Sequence, residues 1–74
     1  MLYDYSKLKG RIVEMFNSNY AFAYHMGISE RTLSLKLNNK VYWKQPEITK
    51  ALSLLELTED DVKDYFFTYL VQFS

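Results

Sequence analysis

The stretch Asn19–Lys40, NYAFAYHMGISERTLSLKLNNK, decides the fold of this chain. Gly27 has no Cβ, so it can take the positive φ that ends a helix. The hydroxyl of Ser29 can accept a hydrogen bond from an unpaired backbone N–H and thereby start a new helix. Leu33 and Leu37 follow one helical turn apart, as on a buried helix face. The pattern predicts two short helices joined by a tight turn.

The two predicted helices cover about residues 19–26 and 29–38. Their order is that of the helix-turn-helix motif of DNA-binding regulators. Ala23 is small, which allows the second helix to cross close to the first. In this motif the second helix presents its polar edge to the major groove of DNA. We therefore predict that residues 29–38 contact another macromolecule through an exposed edge.

Three further helices are predicted around this pair. The first covers about residues 5–16, where Gly10 either makes room for a neighbour or is simply tolerated. Another starts near Gln45, with Pro46 in its first turn, and the last covers about residues 59–66. The predicted core residues are Tyr5, Leu8, Ile12, Met15, Phe16, Phe22, Ala23, Met26, Leu33, Leu37, Ile48, Ala51, Leu52, Leu55, Val62, Tyr65 and Phe66.

The C-terminal segment 67–74 is compatible with two structures. Its aromatic and apolar residues alternate as in a strand, but several of them also fall on one helical face. In both cases the segment is too apolar for a solvent-exposed end. We predict that it packs on its own domain or on another chain, and that it forms the dimer or partner surface. The residues predicted for that surface are Phe67, Tyr69, Val71 and Phe73.

Composition excludes several classes of function. The 74 residues form a single domain, 1–74, of which 49% of residues are apolar. There is no cysteine for a disulfide or a zinc finger, and His25 is the sole histidine. No stretch approaches the ~20 apolar residues of a membrane span, and no secretion signal is present at the N-terminus. We expect no enzyme activity, no cofactor, no metal and no membrane contact, and a cytoplasmic location.

The net charge is zero, but the charges are segregated along the chain. Residues 1–50 carry eight basic and four acidic side chains, a balance of +4. Residues 51–74 carry one basic and five acidic side chains, a balance of −4. A polyanion would approach the first part and be repelled by the second. The alternative is the ordinary unevenness of surface charge in a small chain.

The chain resembles the small phage regulators of the Cro/CI type, and among them the short Cro-like proteins of phages of Gram-positive hosts. The resemblance implies an all-α, compact five-helix bundle of the lambda-repressor-like helix-turn-helix type, with a short C-terminal extended segment as an option. It also implies a phage or prophage protein in a bacterial host cell. The residues that carry it are YDYSKLKGRI near the start, Phe22-Ala23, Gly27-Ile28-Ser29, Arg31-Thr32-Leu33-Ser34, Leu37-Asn38-Asn39-Lys40 and Trp43-Lys44.

By this resemblance, exposed positions early in the third helix contact DNA bases. The guanidinium of Arg31 matches the O6 and N7 acceptors of guanine, although an ordinary surface arginine is the alternative. Where the family commonly has an apolar residue, this chain has Lys36, which would lay its stem on the core and direct its ammonium to a phosphate. The predicted base-reading residues are Glu30, Arg31, Ser34 and Leu35. The predicted phosphate contacts are Asn19, Ser29, Lys36, Asn38, Lys40 and Lys44.

Two functions are compatible with these features of the sequence. The first is a sequence-specific transcriptional regulator in a lysis–lysogeny switch, which represses by occupying double-stranded operator DNA. As a homodimer it would place two recognition helices roughly 34 Å apart. The second is an antirepressor or co-repressor that binds a phage CI-type repressor protein. The zero net charge and the apolar Leu35 on the exposed edge favour the second function.

Overall fold

A computed structural model describes residues 2–70 of the chain. Within that range the protein is all-α, as the sequence predicts, and it forms a bundle without strands. The helix predicted over residues 59–66 is split into a single 3-10 turn and a shorter α-helix. The elements are α1 (Ser6–Phe16), α2 (Asn19–Met26), α3 (Glu30–Leu37), α4 (Gln45–Leu54), the 3-10 turn (Glu59–Asp61) and α5 (Val62–Phe66).

The core surrounds α2, which packs against α1, α3 and α4, while α5 closes the bundle against α1 and α4. Burial of each large apolar side chain contributes roughly 1.5–3 kcal/mol, so these few contacts dominate the stability of so short a chain. Trp43 joins the core from the loop after α3, because its ring packs edge-on against Phe66 at 5.1 Å. The buried apolar residues are Tyr5, Leu8, Ile12, Phe22, Ala23, Met26, Leu33, Leu37, Ala51, Leu52, Leu55 and Phe66.

The turn between α2 and α3 has the geometry that its residues predict. Gly27 has a φ of 77°, and its N–H donates to the carbonyls of the last turn of α2. Ser29 then starts α3, because its Oγ accepts the N–H of Thr32 at 3.0 Å. At the other end of α2 the cap is Ser18, whose Oγ accepts the N–H of Ala21 at 3.1 Å. The predicted bounds of α2 are confirmed, and α3 is one residue shorter at each end than the predicted 29–38.

The N-terminal and C-terminal segments run antiparallel beside the bundle. Tyr3 pairs with Tyr69 in a single β-bridge, and the Asp4 N–H donates to the carbonyl of Thr68 at 2.7 Å. The rings of Tyr3 and Tyr69 are stacked, with centroids 5.5 Å apart. The chain after α5 is therefore extended up to residue 70, which agrees with the strand-like alternative for that part of segment 67–74.

Asn39 fastens the N-terminal segment to the end of α3. Its φ of 63° lies in the left-handed region, which asparagine tolerates better than most residues. Its side-chain Oδ1 accepts the N–H of Tyr3, and its Nδ2 donates to the carbonyl of Tyr3, both at 2.9 Å. Nothing in the sequence indicates this contact of Asn39 with a residue 36 positions away.

Candidate functional site

Helix α3 presents the exposed polar edge that the sequence predicts. Leu33 and Leu37 are buried and attach the helix to the core. At its start, Ser29 caps the backbone of Thr32, and the Ser29 hydroxyl also donates to Oγ1 of Thr32 at 2.9 Å. The opposite side of the helix is open to solvent. The exposed residues on that side and just beyond the helix end are Glu30, Arg31, Ser34 and Asn38.

Three of the four predicted base-reading residues, Glu30, Arg31 and Ser34, are exposed on this edge. The fourth, Leu35, is half-buried. Its backbone carbonyl accepts the N–H of Lys40 at 2.9 Å, so it also anchors the turn that follows α3. The edge therefore combines a guanidinium, a carboxylate and a hydroxyl with one apolar side chain. Contact of these residues with DNA bases remains a prediction.

The other predicted phosphate contacts lie next to helix ends. Ser29 precedes α3, Asn38 and Lys40 follow it, Asn19 is the first residue of α2 and Lys44 precedes α4. Ser29, Lys40 and Lys44 are exposed, and Asn19 is half-buried at the start of α2. Asn38 is exposed as well, but its Nδ2 donates to the carbonyl of the residue one turn earlier at 2.8 Å. The Asn38 amide therefore caps its own helix. Phosphate contact by these five residues remains a prediction.

The structure corrects the role predicted for Lys36. Its side chain is 2% exposed, and its ammonium lies 2.8 Å from Oε1 of Glu47. The same ammonium donates to the carbonyl of Tyr42 at 2.9 Å and lies 5.9 Å from the ring centroid of Trp43. An ammonium enclosed by these groups has no access to a DNA phosphate. Lys36 is therefore a core residue with an internal ion pair.

Glu47 is the residue that makes the burial of Lys36 possible. Its Oε1 also accepts the N–H of Lys44 at 2.8 Å, in the first turn of α4. Burial by itself raises the pKa of the Glu47 carboxyl, but the hydrogen bonds from Lys36 and Lys44 and the charges of both lysines outweigh it. The net effect is a lowered pKa. Glu47 thus stays ionised and joins α3 to α4 beneath the exposed edge.

A second basic residue also directs its charge to a group of its own chain. The ammonium of Lys50 donates to the carbonyl of Met26 at 3.2 Å, at the C-terminal end of α2. A cation is favourable there because unpaired carbonyls give a helix C-terminus partial negative charge. Lys36 and Lys50 together account for two of the eight basic residues among residues 1–50. The balance of +4 in residues 1–50 is unchanged by these contacts, because Glu47 is one of the four acids counted there and Lys50 stays exposed.

The predicted dimer or partner surface lies beside the N-terminal segment. Phe67 is 43% exposed and Tyr69 is 57% exposed. Both rings contact Tyr3, at centroid distances of 5.6 Å and 5.5 Å. They therefore pack on their own domain and still leave apolar area open, and a homodimer through them remains a prediction. The other two predicted residues, Val71 and Phe73, lie outside the described residues.

Two further kinds of site are absent from residues 2–70. No helix there is long and apolar enough to cross a bilayer. No group of three or more His, Asp or Glu side chains in that part of the chain is arranged to hold a metal ion. The sequence does not single out Glu47 and Tyr42, the two hydrogen-bond partners of the Lys36 ammonium. A lysine at a core position does imply a buried partner, but only the fold shows which residue it is.

Comparison with known proteins gives a family and a structural relative. Residues 1–69 match the family described as "Protein of unknown function (DUF739)", and no match is found among curated proteins. The chain is also similar to the solution structure of the modulator of repression (MOR) of the temperate bacteriophage TP901-1 from Lactococcus lactis. The two chains are 54% identical over 97% of each chain, with a TM-score of 0.80. The chain described here therefore belongs to the DUF739 family.

Proposed function

We propose that this protein is a modulator of repression that acts by binding a phage repressor protein. The observation that carries the proposal is the similarity to MOR, at 54% identity over 97% of both chains. A match that covers both ends of the chain involves more than the helix pair α2–α3, which many unrelated regulators share. It favours a common role as well as a common fold.

The α3 edge has features that suit a protein partner. Arg31 is exposed beside the half-buried Leu35, and Tyr42 after the helix is 86% exposed. Arginine and tyrosine are enriched among the residues that dominate protein–protein binding. DNA binding, in contrast, depends on cations that reach phosphates. Lys36 does not have that access, because Glu47 neutralises it inside the fold.

The proposal is tested by titrating the protein into the repressor encoded by the same phage, with isothermal titration calorimetry as the readout. We expect a saturable complex. Binding of the repressor to its operator DNA is then measured with and without the protein, and we expect the presence of the protein to alter it. Failure of the two proteins to form a complex at high micromolar concentration would exclude this function.

A pair of variants tests whether the α3 edge takes part in this complex. Arg31→Ala removes an exposed guanidinium from the edge, and we expect it to weaken repressor binding about tenfold or more. Lys9→Ala removes an exposed positive charge from α1 and serves as the matched control. It is expected to leave the affinity unchanged. Equal effects of both variants would indicate non-specific charge attraction instead of a defined contact.

A second candidate function is direct operator binding by the α3 edge. It is favoured by the exposure of Arg31 and Ser34 behind the Ser29 cap and by the balance of +4 in residues 1–50. The test is binding to the promoter region next to its own gene over a salt series, without repressor. A steep loss of affinity with salt, and a cost of about 1–3 kcal/mol for Arg31→Ala at one base position, would support it.

A further inference from the structure

The loop between α3 and α4 covers residues 38–44 and is fixed to the bundle in two different ways. Its first part turns back on α3, because the N–H groups of Lys40 and Val41 both donate to the carbonyl of Leu35, at 2.9 Å and 3.3 Å. These bonds join backbone atoms a few positions apart, so they do not depend on a particular side chain. The second part of the loop, residues 42–44, is held by side chains instead.

One buried ammonium connects both ends of that second part. The Nζ of Lys36 donates to the carbonyl of Tyr42 at 2.9 Å and lies 2.8 Å from Oε1 of Glu47. The same Oε1 accepts the backbone N–H of Lys44 at 2.8 Å. Between these two points the ring of Trp43 packs on the core. The ion pair therefore fixes the backbone of the loop on both sides of that ring.

The stability of the bundle does not by itself require a lysine at position 36. Replacement of buried ionic groups by apolar side chains of similar volume is often neutral or stabilising, because removing charges from water is costly. A methionine would fill the space of the lysine stem, but it has no donor for the carbonyl of Tyr42. What the ammonium adds is a fixed backbone at this point of the loop.

We propose that Lys36 is a positioning residue for repressor binding, which holds Tyr42 in place in the loop that follows the α3 edge. The inference rests on the proposed function, since it gives Lys36 a part in the complex although its side chain is 2% exposed and does not reach a partner. The Tyr42 side chain is 86% exposed, so its position is set mainly by its backbone. A loop that is already ordered avoids the entropy cost of ordering on binding.

The first test is made on the free protein by NMR. Lys36→Met removes the ammonium and leaves Glu47 free to turn to solvent, with Lys36→Leu as the substitute should that variant not fold. We expect the Lys44 amide to exchange at least tenfold faster and the backbone order parameters of residues 42–44 to fall, while the Lys40 amide keeps its protection. Unchanged exchange and order would overturn the proposal, because the loop would then be ordered without the ammonium.

The second test is a double-mutant cycle, measured by isothermal titration with the repressor of the same phage. We expect Tyr42→Ala and Lys36→Met each to weaken the complex about tenfold. The double variant should be no weaker than either single variant, because Lys36 acts through Tyr42. Lys36→Met combined with Arg31→Ala should instead multiply the two effects, since Arg31 stands on α3 and not on the loop. Multiplied effects in both cycles would indicate a merely structural lysine and overturn the proposal.

The matched control for stability is Ile12→Val, a mild truncation of a buried side chain in α1 with a cost of the same order as that of Lys36→Met. It is expected to keep full affinity, and a loss of affinity equal to that of Lys36→Met would show that stability alone is responsible. If Arg31→Ala weakens the complex and Lys36→Met or Tyr42→Ala does not, the positioning role fails and the proposed function stands. If the unmodified protein does not bind the repressor, both fail.

Discussion

The ammonium of Lys36 lies 2.8 Å from a carboxylate oxygen of Glu47 and joins α3 to the first turn of α4. The two partners are buried to different extents, since the Lys36 side chain is 2% exposed and the Glu47 side chain is 21% exposed. Removal of one partner leaves the other unpaired, and an unpaired charge is most costly where it cannot reach water. Substitution of Glu47 and substitution of Lys36 should therefore change the free energy of unfolding by different amounts.

We expect Glu47→Gln to destabilise the protein by roughly 3 kcal/mol at neutral pH, because it leaves the buried ammonium of Lys36 without a charged partner. Lys36→Met should cost less than about 1 kcal/mol, because methionine fills the apolar stem position and the Glu47 carboxylate can turn to solvent. The free energy of unfolding in urea measures both effects. Equal losses for the two variants would mean that the burial of Lys36 is not the dominant factor.

The same pair predicts a dependence of stability on pH. The pKa of Glu47 is lowered in the folded protein, so the unfolded chain binds a proton more readily at this site. The stabilisation is therefore complete above the ordinary glutamate pKa of about 4.3 and is lost as the pH falls through the lower folded value. Urea unfolding at several values between about pH 3 and pH 7 should show this loss.

Two substitutions assign that acid sensitivity to its source. In Glu47→Gln the decline in stability below about pH 5 should be shallower, because the group that takes up the proton is gone. The pKa of Asp4 is also lowered, chiefly by hydrogen bonds from the side chain and backbone of Ser6, but Asp4 is at the surface of the N-terminal segment. Asp4→Asn is therefore the comparison, and a larger flattening by Asp4→Asn than by Glu47→Gln would contradict the assignment.

The two glycines of the chain should respond to alanine with opposite signs. A Cβ at Gly10, in the middle of α1, would meet nothing within 4 Å, so Gly10→Ala should stabilise the protein by about 0.5–1 kcal/mol through helix propensity. Gly27 has a φ of 77°, where a Cβ costs roughly 1–2 kcal/mol. Thermal unfolding of both variants checks the signs, and stabilisation by Gly27→Ala would contradict the described turn.

Loss of the Asn39 side chain should release the N-terminal segment. Asn39→Gly keeps the left-handed backbone and removes both hydrogen bonds to Tyr3, for an expected cost of about 1–2 kcal/mol. Asn39→Ala removes the same bonds and adds backbone strain, so it should cost about 1 kcal/mol more. Amide hydrogen exchange at Tyr3 is the local readout. Unchanged protection of the Tyr3 amide in Asn39→Gly would show that the two hydrogen bonds from the Asn39 side chain do not hold this segment in place.

The sequence by itself was sufficient to predict where the helices lie and which side of α3 is exposed. Gly27 and Ser29 act through their own backbone and nearest neighbours, so the end of α2 and the start of α3 follow from residue type. The leucines of α3 and the apolar residues of α4 recur at the helical period, which determines the buried faces. By elimination, the polar side of α3 with Arg31 had to lie outward. All of these features arise from contacts within a few residues.

The tertiary structure alone decided what the polar residues inside and beside the fold contact. The sequence predicts Lys36 as a phosphate ligand, but in the fold its ammonium lies 2.8 Å from Glu47 on the next helix. Asn39 reaches Tyr3 across 36 positions, and Lys36 reaches the carbonyl of Tyr42 in the loop that follows α3. Hydrogen bonds and ion pairs act over about 3 Å, so their partners are selected by the arrangement of the helices in space and not by proximity along the chain.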